Sequence, residues 1–256
     1  MTQIDVSHGD EVATVTMSNP ERKNALSPAT CETMADSLRE LAHDSSVRCV
    51  VVDGEGDAFC SGIDLTSGMD VASPAEELEG GLNAIVTTLM RMEKPVVANV
   101  SGPAVGAGAS IATACDFVYA ADAAVFAWGF TDIGFVPDTG ATHVLPRLVG
   151  LRTAMELVTT GRRVDADEAV ELDIATDAVP EDELDELVTE RVEMLLSRPT
   201  RAVGEAKRLL LRSSHRSLEE TLSAEARAQD RMVETDDFAE GVMAFMDGRD
   251  PEFTGE

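Results

Sequence analysis

Two glycine-rich segments, each following an apolar run, place the strongest constraint on the fold of this chain. Residues 47–53 (VRCVVVD) precede the segment 58–64 (AFCSGID), and residues 95–100 (PVVANV) precede the segment 101–110 (SGPAVGAGAS). Each pair has the pattern of a buried strand that ends where a helix begins. If the two strands are neighbours in one parallel sheet, both segments leave the sheet at the same edge. Their backbone N–H groups then converge, and two convergent donors can hold an oxyanion.

Strand and helix patterns alternate from residue 27 to about residue 130. Ser27 followed by Pro28 is typical of a helix start, and the apolar residues keep helical spacing as far as His43. A second helix is predicted to run toward Met92, with Gly80-Gly81 as a possible break. This alternation is typical of an α/β fold, in which βαβ units surround a largely parallel sheet.

The two ends of the chain have different patterns from its middle. Residues 4–6 and 12–17 alternate apolar with polar side chains, which predicts an opening β-hairpin. From residue 139 onward almost every pattern is helical. Arg198-Pro199 marks the predicted boundary between an α/β core at 1–198 and a C-terminal helical region at 199–256.

The charge of the chain limits its partners. Its 256 residues include 48 acidic and 20 basic ones, for a net charge of -28. Phosphate contacts need clustered Lys and Arg, so we expect no nucleic-acid partner. The hydrophobic periodicity argues against disorder, which makes the acidic excess a property of the surface. We therefore expect a halophilic protein from a cytoplasm near molar salt, where carboxylate repulsion is screened.

The cysteine and histidine patterns indicate a cytoplasmic chain without a structural metal. The four cysteines are scattered, without a Cys-x-x-Cys pair, and no secretory signal begins the chain. They are therefore expected to be reduced thiols in a cytosol. The four histidines show no metal-ligand spacing, so we expect no metal. No apolar run approaches the roughly 20 residues that cross a bilayer, so we expect no membrane partner.

Several short segments, in a fixed order along nearly the whole chain, carry a family resemblance. They are residues 19–26 (NPERKNAL), 58–65 (AFCSGIDL), 94–102 (KPVVANVSG), 114–117 (ACDF), 133–142 (IGFVPDTGAT), 145–150 (LPRLVG) and 245–253 (FMDGRDPEF). With these segments the chain closely resembles the crotonase superfamily, the enoyl-CoA hydratase/isomerase family of acyl-CoA enzymes. The resemblance implies a spiral of ββα units with C-terminal helices that build trimers, commonly paired into hexamers.

The resemblance also assigns an oxyanion hole to the two glycine-rich segments. Its donors would be the backbone N–H groups of Ile63 and Ala107. Family members usually have glycine at the second position, but the N–H of an alanine donates equally well. The substrate would be an acyl-CoA thioester, with coenzyme A as part of the substrate and no separate cofactor.

Substrate contacts follow from the same resemblance. The turn from Arg22 to Leu26 would bind the adenine and phosphates of CoA, although Arg22 and Lys23 also suit an ordinary surface. Phe253 would close over the nucleotide. The expected substrate-binding residues are Arg22, Lys23, Ala25, Leu26, Cys60, Gly62, Asp64, Leu65, Gly106, Ser110, Phe130, Asp132, Pro137 and Phe253.

The acid/base residues depart from the hydratase pattern. The two glutamates that activate water in the hydratases correspond here to Ser110 and Phe130, and neither side chain can exchange a proton near neutral pH. Asp138 aligns with a catalytic aspartate of ring-epoxide isomerases and with a nucleophilic aspartate of an aryl-CoA dehalogenase. The alternative role for Asp138 is a helix N-cap. Asp132 is a second candidate acid, because residues 130 and 132 share a face if this segment is extended.

Three other candidates have structural alternatives. Ser110 either lines the pocket or is an ordinary helix residue. Asp64 is either catalytic or an anchor for the turn that follows it. Cys60 is more simply a packing thiol than a nucleophile.

The predicted function is an enoyl-CoA isomerase, of double-bond or ring-epoxide type, with Asp138 as its acid/base. Two alternatives stay open. The first is an atypical enoyl-CoA hydratase or acyl-CoA hydrolase, in which Asp138 or Asp132 activates water. The second is an inactive acyl-CoA-binding subunit, which the two missing glutamates favour.

Overall fold

Nine strands form two sheets in the computed structural model, which describes residues 2–66 and 74–256. They are β1 (Gln3–His8), β2 (Val12–Ser18), β3 (Cys49–Gly54), β4 (Val96–Val100), β5 (Ala104–Val105), β6 (Phe117–Ala121), β7 (Val125–Ala127), β8 (Val164–Asp165) and β9 (Asp177–Val179). The larger sheet has the order β1-β2-β3-β4-β6-β9, and the smaller one has the order β5-β7-β8.

The strands β3 and β4 are parallel neighbours in the larger sheet, with Val51 opposite Val97. The sheet is parallel from β2 to β9, and only the β1-β2 hairpin, which the sequence predicts, is antiparallel. Both glycine-rich segments therefore leave the sheet at the carboxyl ends of adjacent strands. This arrangement confirms the prediction that they share one edge.

Eleven α-helices complete the described part of the chain. They are α1 (Pro28–His43), α2 (Pro74–Gly80), α3 (Leu82–Arg91), α4 (Ala107–Ala114), α5 (Ala141–Leu148), α6 (Gly150–Thr160), α7 (Ala166–Glu171), α8 (Leu184–Leu196), α9 (Thr200–Arg212), α10 (Leu218–Met232) and α11 (Asp236–Asp247). The predicted helix start at Ser27 is confirmed, because the Ser27 hydroxyl accepts a hydrogen bond from the Thr30 N–H. Gly81 separates α2 from α3, as the paired glycines indicate.

Helices cover both faces of the larger sheet, which explains why its central strands are almost continuously apolar. Leu38 of α1, Ile85 of α3 and Ile111 of α4 pack in the core on one face. On the other face Val188 of α8 packs in a cluster with Val51 of β3. In the described part of the chain, no helix is both long and apolar enough to cross a membrane.

Two short strands correct the expectation that almost everything after residue 139 is helical. The strand β8 pairs with β7, and β9 forms the far edge of the larger sheet. They have two and three residues, too few for an alternating pattern to appear in the sequence. The predicted boundary at residue 198 falls between α8 and α9.

Candidate active site

The two glycine-rich segments are joined directly to each other. Cys60 and Ala104 form a parallel bridge, in which the Val105 N–H donates to the Cys60 carbonyl at 2.9 Å. This bridge brings Gly62 against the start of α4. A Cβ atom on Gly62 would lie 2.9 Å from the Val105 carbonyl oxygen and 3.6 Å from the Ala107 nitrogen. Because Gly62 also has a φ of +94°, only glycine fits there without strain.

The N–H groups of Ile63 and Ala107 have no backbone acceptor among the described residues. In the parallel bridge between Leu26 and Ile63, the Leu26 N–H donates to the Gly62 carbonyl and the Leu26 carbonyl accepts the Asp64 N–H. The N–H of Ile63 therefore points away from Leu26. Ala107 is the first residue of α4, where an N–H has no acceptor within the helix. The φ of +57° at Gly106 turns the chain into that helix. Both Ile63 and Ala107 line one cavity of about 350 Å³.

Asn24 holds the turn after β2 against the first glycine-rich segment. Its side chain is fully buried, and its Nδ2 donates to the carbonyls of Ala58 at 2.7 Å and Glu55 at 3.0 Å. Its Oδ1 accepts the Asn19 N–H at 2.8 Å. The family resemblance implies CoA binding by the turn from Arg22 to Leu26, but no sequence pattern predicted this structural role of Asn24 within it. The available signal was its residue type, since asparagine tolerates the left-handed conformation that it adopts here at a φ of +56°.

The cavity is lined by both glycine-rich segments and by residues around the smaller sheet. The lining residues are Ser61, Gly62, Ile63, Leu65, Val105, Gly106, Ala107, Ala127, Gly129, Phe130, Asp132, Ile133, Phe135, Asp138, Gly161 and Arg163. The predicted residues Gly62, Leu65, Gly106, Phe130, Asp132 and Asp138 are thus brought together with the two N–H donors. Pro137 is outside this lining. Residues 67–73 lie outside the described residues.

Asp138 is half-buried and lines the cavity of the N–H donors. Burial raises the pKa of its carboxyl group, and a 2.6 Å hydrogen bond from the Thr139 hydroxyl opposes part of this rise. The helix α5 begins at Ala141, and its N-terminus has no capping bond from a side chain. The N-cap interpretation of Asp138 is therefore wrong, because only its main-chain carbonyl accepts the Ala141 N–H.

Phe130 and Asp132 lie on a 3₁₀ helix that spans Gly129–Ile133. The expectation of an extended segment is therefore wrong, although both residues line the cavity. The ring of Phe130 is buried and lies 3.9 Å from the Cβ position of Gly106. The carboxylate of Asp132 lies so close to Gly161 that a Cβ there would be 2.7 Å from its Oδ2 atom.

Ser110 and Cys60 are buried beside the site and take structural roles. The Ser110 hydroxyl donates to the Gly106 carbonyl at 3.0 Å within α4, and the residue is outside the cavity lining. The Cys60 thiol donates to the Asn24 carbonyl at 3.3 Å. Burial raises the pKa of this thiol to about 12, so it stays protonated at neutral pH and is a poor nucleophile.

Arg22 and Asp64 form an ion pair near the cavity, with 2.7 Å between Arg22 Nη1 and Asp64 Oδ2. The other carboxylate oxygen of Asp64 accepts the hydroxyl of Thr66 at 2.6 Å and its N–H at 2.9 Å. These bonds to Thr66, with the nearby guanidinium, lower the pKa of Asp64. Asp64 therefore anchors the turn that follows it. Lys23 has an exposed side chain and accepts the Ser61 N–H with its carbonyl at 2.9 Å.

Three other predicted residues lie outside the cavity lining. Ala25 is half-buried, and Leu26 belongs to the core. Phe253 lies against Gly241 of α11, and its carbonyl accepts the Arg48 guanidinium at 3.1 Å. Because Arg48 directly precedes β3, Phe253 is at the opposite end of the sheet from the glycine-rich segments. Within one chain Phe253 does not lie over the Arg22 turn, so its contact with the CoA nucleotide stays a prediction.

Arg163 and Gly161 also line the cavity, although no sequence pattern predicted it. Both follow α6 and enter the site through the pairing of β8 with β7. No local motif marks them, because their place depends on a contact between segments almost forty residues apart.

Comparison with known proteins identifies relatives along nearly the whole chain. The model of a family described as "Enoyl-CoA hydratase/isomerase" matches residues 7–256. A 1,2-epoxyphenylacetyl-CoA isomerase from Escherichia coli is 33% identical over 262 residues, covering 100% of both chains. A peroxisomal Delta(3,5)-Delta(2,4)-dienoyl-CoA isomerase from Arabidopsis thaliana is also 33% identical, covering 93% of this chain and 90% of the relative.

Solved structures share the fold. The crystal structure of an enoyl-CoA hydratase from Bacillus anthracis superposes with a TM-score of 0.93 at 31% identity. The superposition covers 99% of this chain and 100% of the other. The likeness therefore extends to the whole architecture described above.

Proposed function

The chain belongs to the enoyl-CoA hydratase/isomerase family and has its α/β crotonase fold, and within that family we propose that it is an enoyl-CoA isomerase. One observation carries this proposal. Asp138 lines the same cavity as Ile63 and Ala107, whose N–H groups have no backbone acceptor among the described residues. The reaction is the shift of a double bond or the isomerisation of a ring epoxide, and the names of two relatives support both types.

The mechanism starts at the thioester carbonyl. Its oxygen accepts hydrogen bonds from the N–H groups of Ile63 and Ala107, which stabilise the negative charge of the enolate. Loss of one such donor typically costs about 3–4 kcal/mol of transition-state stabilisation. Asp138 removes a proton from the carbon next to the carbonyl, or from its vinylogue, and returns a proton to a different carbon. One base therefore performs both transfers.

The surroundings of Asp138 suit this role. Burial raises the pKa of its carboxyl group, which makes the carboxylate a stronger base and brings the acid closer to the working pH. Phe130 contributes an apolar wall where the hydratases have a glutamate. At the position of the second hydratase glutamate, this chain has Ser110, whose hydroxyl is hydrogen-bonded within α4.

A second candidate reaction uses water. Asp132 lines the same cavity as Asp138, so the site has two carboxylates near the N–H donors. With either carboxylate as the base for a water molecule, the enzyme is an atypical enoyl-CoA hydratase or an acyl-CoA hydrolase. The absence of both hydratase glutamates makes this the weaker proposal.

Binding of CoA and assembly complete the proposal. The exposed side chains of Arg22 and Lys23 extend from the turn beside the cavity and are proposed to contact the CoA phosphates. We also propose a homo-oligomer, a trimer or hexamer, built through α10 and α11. These helices expose large apolar side chains, which are Leu218, Leu222, Phe238, Val242, Met243, Phe245 and Met246.

A pair of substrates tests the proposal. We expect a β,γ-enoyl-CoA to gain the absorbance of a conjugated enoyl thioester, and we expect crotonyl-CoA to keep that absorbance. Asp138→Asn should abolish the first reaction, whereas Asp132→Asn, the matched control within the cavity, should retain it. Loss of the crotonyl-CoA absorbance would support the hydratase instead. Tight binding without turnover of any substrate would contradict both and indicate an inactive subunit.

A further inference from the structure

Two adjacent arginines after α6 have opposite environments. Arg162 is neutralised by two glutamates, with 2.7 Å from its Nε to Glu156 and 2.8 Å from its Nη2 to Glu168. Arg163 forms no ion pair with any described residue, and it is the one basic side chain among the residues found to line the cavity. The chain has only 20 basic residues against 48 acidic ones. Even so, it leaves this guanidinium without a carboxylate partner in the described part of the chain.

The register of the smaller sheet fixes where Arg163 lies. Phe126 of β7 is opposite Val164 of β8, so Ala127 is opposite Arg163 in the next position. Val105 of β5 is in turn opposite Ala127. The three residues Val105, Ala127 and Arg163 therefore form one row across the sheet, and all three line the cavity. Val164, the neighbour of Arg163, points to the other face and is fully buried.

This row places Arg163 on the far side of the N–H donors from the Arg22 turn. The Cys60-Ala104 bridge joins the first glycine-rich segment to β5, and β7 and β8 follow in order. With strands about 4.8 Å apart, the Cα atoms of Val105 and Arg163 are roughly 10 Å apart. A thioester carbonyl held by Ile63 and Ala107 thus has Arg22 on one side and Arg163 on the other.

We infer that Arg163 binds a carboxylate on the acyl chain, so that the substrate is a CoA thioester with an anionic group distant from the thioester. This inference rests on the proposed function, in which the CoA phosphates occupy the Arg22 side. The planar guanidinium suits a carboxylate because it donates two parallel hydrogen bonds. Asp132 and Asp138 would repel such a group from the cavity, and Arg163, the one basic residue among the described residues of the lining, supplies a positive charge that offsets them.

Binding of saturated thioesters tests the inference without any turnover. We would measure, by calorimetry at fixed KCl, the affinities of acetyl-CoA and of paired acyl-CoAs that end in a carboxylate or a methyl group. The acyl chains of these pairs have four to eight carbons. For at least one length the wild type should bind the carboxylate form more tightly. Arg163→Gln should weaken that binding by about tenfold to a hundredfold, as expected for a charged hydrogen bond, and leave acetyl-CoA unaffected.

Arg162→Gln is the matched control, because it removes the neighbouring guanidinium, which does not line the cavity. This variant should keep the preference for the carboxylate form.

Three results would overturn the inference. The first is a wild type that prefers the methyl form at every length. The second is an Arg163→Gln variant with unchanged binding of the carboxylate form. The third is an equal loss of acetyl-CoA binding in Arg163→Gln, which would mean that Arg163 contacts CoA itself. Failure of every thioester to bind, acetyl-CoA included, would refute the proposed function as well.

Discussion

Burial sets the protonation of individual side chains in this molecule. It raises the pKa of the carboxyl group of Asp138, a residue that lines the cavity, and it raises the pKa of the Cys60 thiol beside the site to about 12. Burial thereby makes Asp138 a stronger base, as the proposed mechanism needs, and keeps the Cys60 thiol protonated as an unreactive packing group. The same effect acts on Asp53 of β3, away from the cavity lining. Burial, with the nearby charge of Asp185, raises the pKa of Asp53 to about 6.

Asp53 gives a prediction for stability as a function of pH. Its pKa of about 6 in the folded state exceeds the ordinary value of 3.8, so between these values the folded state holds a proton that the unfolded state has released. Stability therefore falls as the pH rises through this window, and the full cost is present above pH 6. Asp53→Asn keeps the acceptor for the Gly54 N–H and removes the charge. We expect it to raise the free energy of unfolding by about 1–3 kcal/mol at pH 8.

Urea unfolding at constant KCl measures this effect. Near pH 4 the carboxyl group is largely protonated in the folded state and about half protonated in the unfolded state, so the variant should gain little there. An equal gain at both pH values would contradict the assignment, because it would have to come from packing and not from ionisation.

At the scale of elements, local patterns predicted the strands β3 and β4 and the helix α1. Each of these has enough residues to show an apolar period, and Ser27 and Pro28 mark the start of α1. The strands β8 and β9 and the 3₁₀ helix at Gly129–Ile133 are too short to show one. In the candidate site, likewise, residues marked by a local motif could be predicted and residues placed by strand pairing could not. The donors Ile63 and Ala107 come from motifs, whereas Arg163 reaches the cavity through the register of β7 and β8.

The helix α9 gives a prediction at this scale, because one buried lysine attaches it to the core. Lys207 Nζ lies 2.7 Å from Asp116 Oδ2 and also donates to the Leu89 carbonyl at 2.8 Å. Lys207→Met would leave the carboxylate of Asp116 without its cation in a mostly buried place. We expect a loss of about 3–5 kcal/mol in the free energy of unfolding.

A double variant separates the charge from the packing. Adding Asp116→Asn to Lys207→Met removes the stranded carboxylate and should recover part of the loss. Urea unfolding of the single and double variants measures both steps. If Lys207→Met unfolds at the same urea concentration as the wild type, this pair does not hold α9 in place.

At the scale of the whole molecule, the dominant property is a net charge of -28. Repulsion between surface carboxylates acts over about 10 Å at 0.1 M salt and over about 3 Å at 1 M. We expect the melting temperature to rise when KCl is raised from 0.1 M to 2 M. Calorimetry or circular dichroism measures it, and equal melting temperatures in both solutions would contradict adaptation to a salt-rich cytoplasm.

In the proposed mechanism, Asp138 moves a proton next to a carbonyl held by the N–H groups of Ile63 and Ala107. Exchange of the proton on the carbon adjacent to the thioester tests it directly, because a saturated acyl-CoA in D₂O exchanges whenever the enolate forms. Mass spectrometry should find deuterium in the acyl group with the wild type and with Asp132→Asn. With Asp138→Asn it should find none, although the variant still binds the thioester. Undiminished exchange by Asp138→Asn would contradict this mechanism, because another group would then have to be the base.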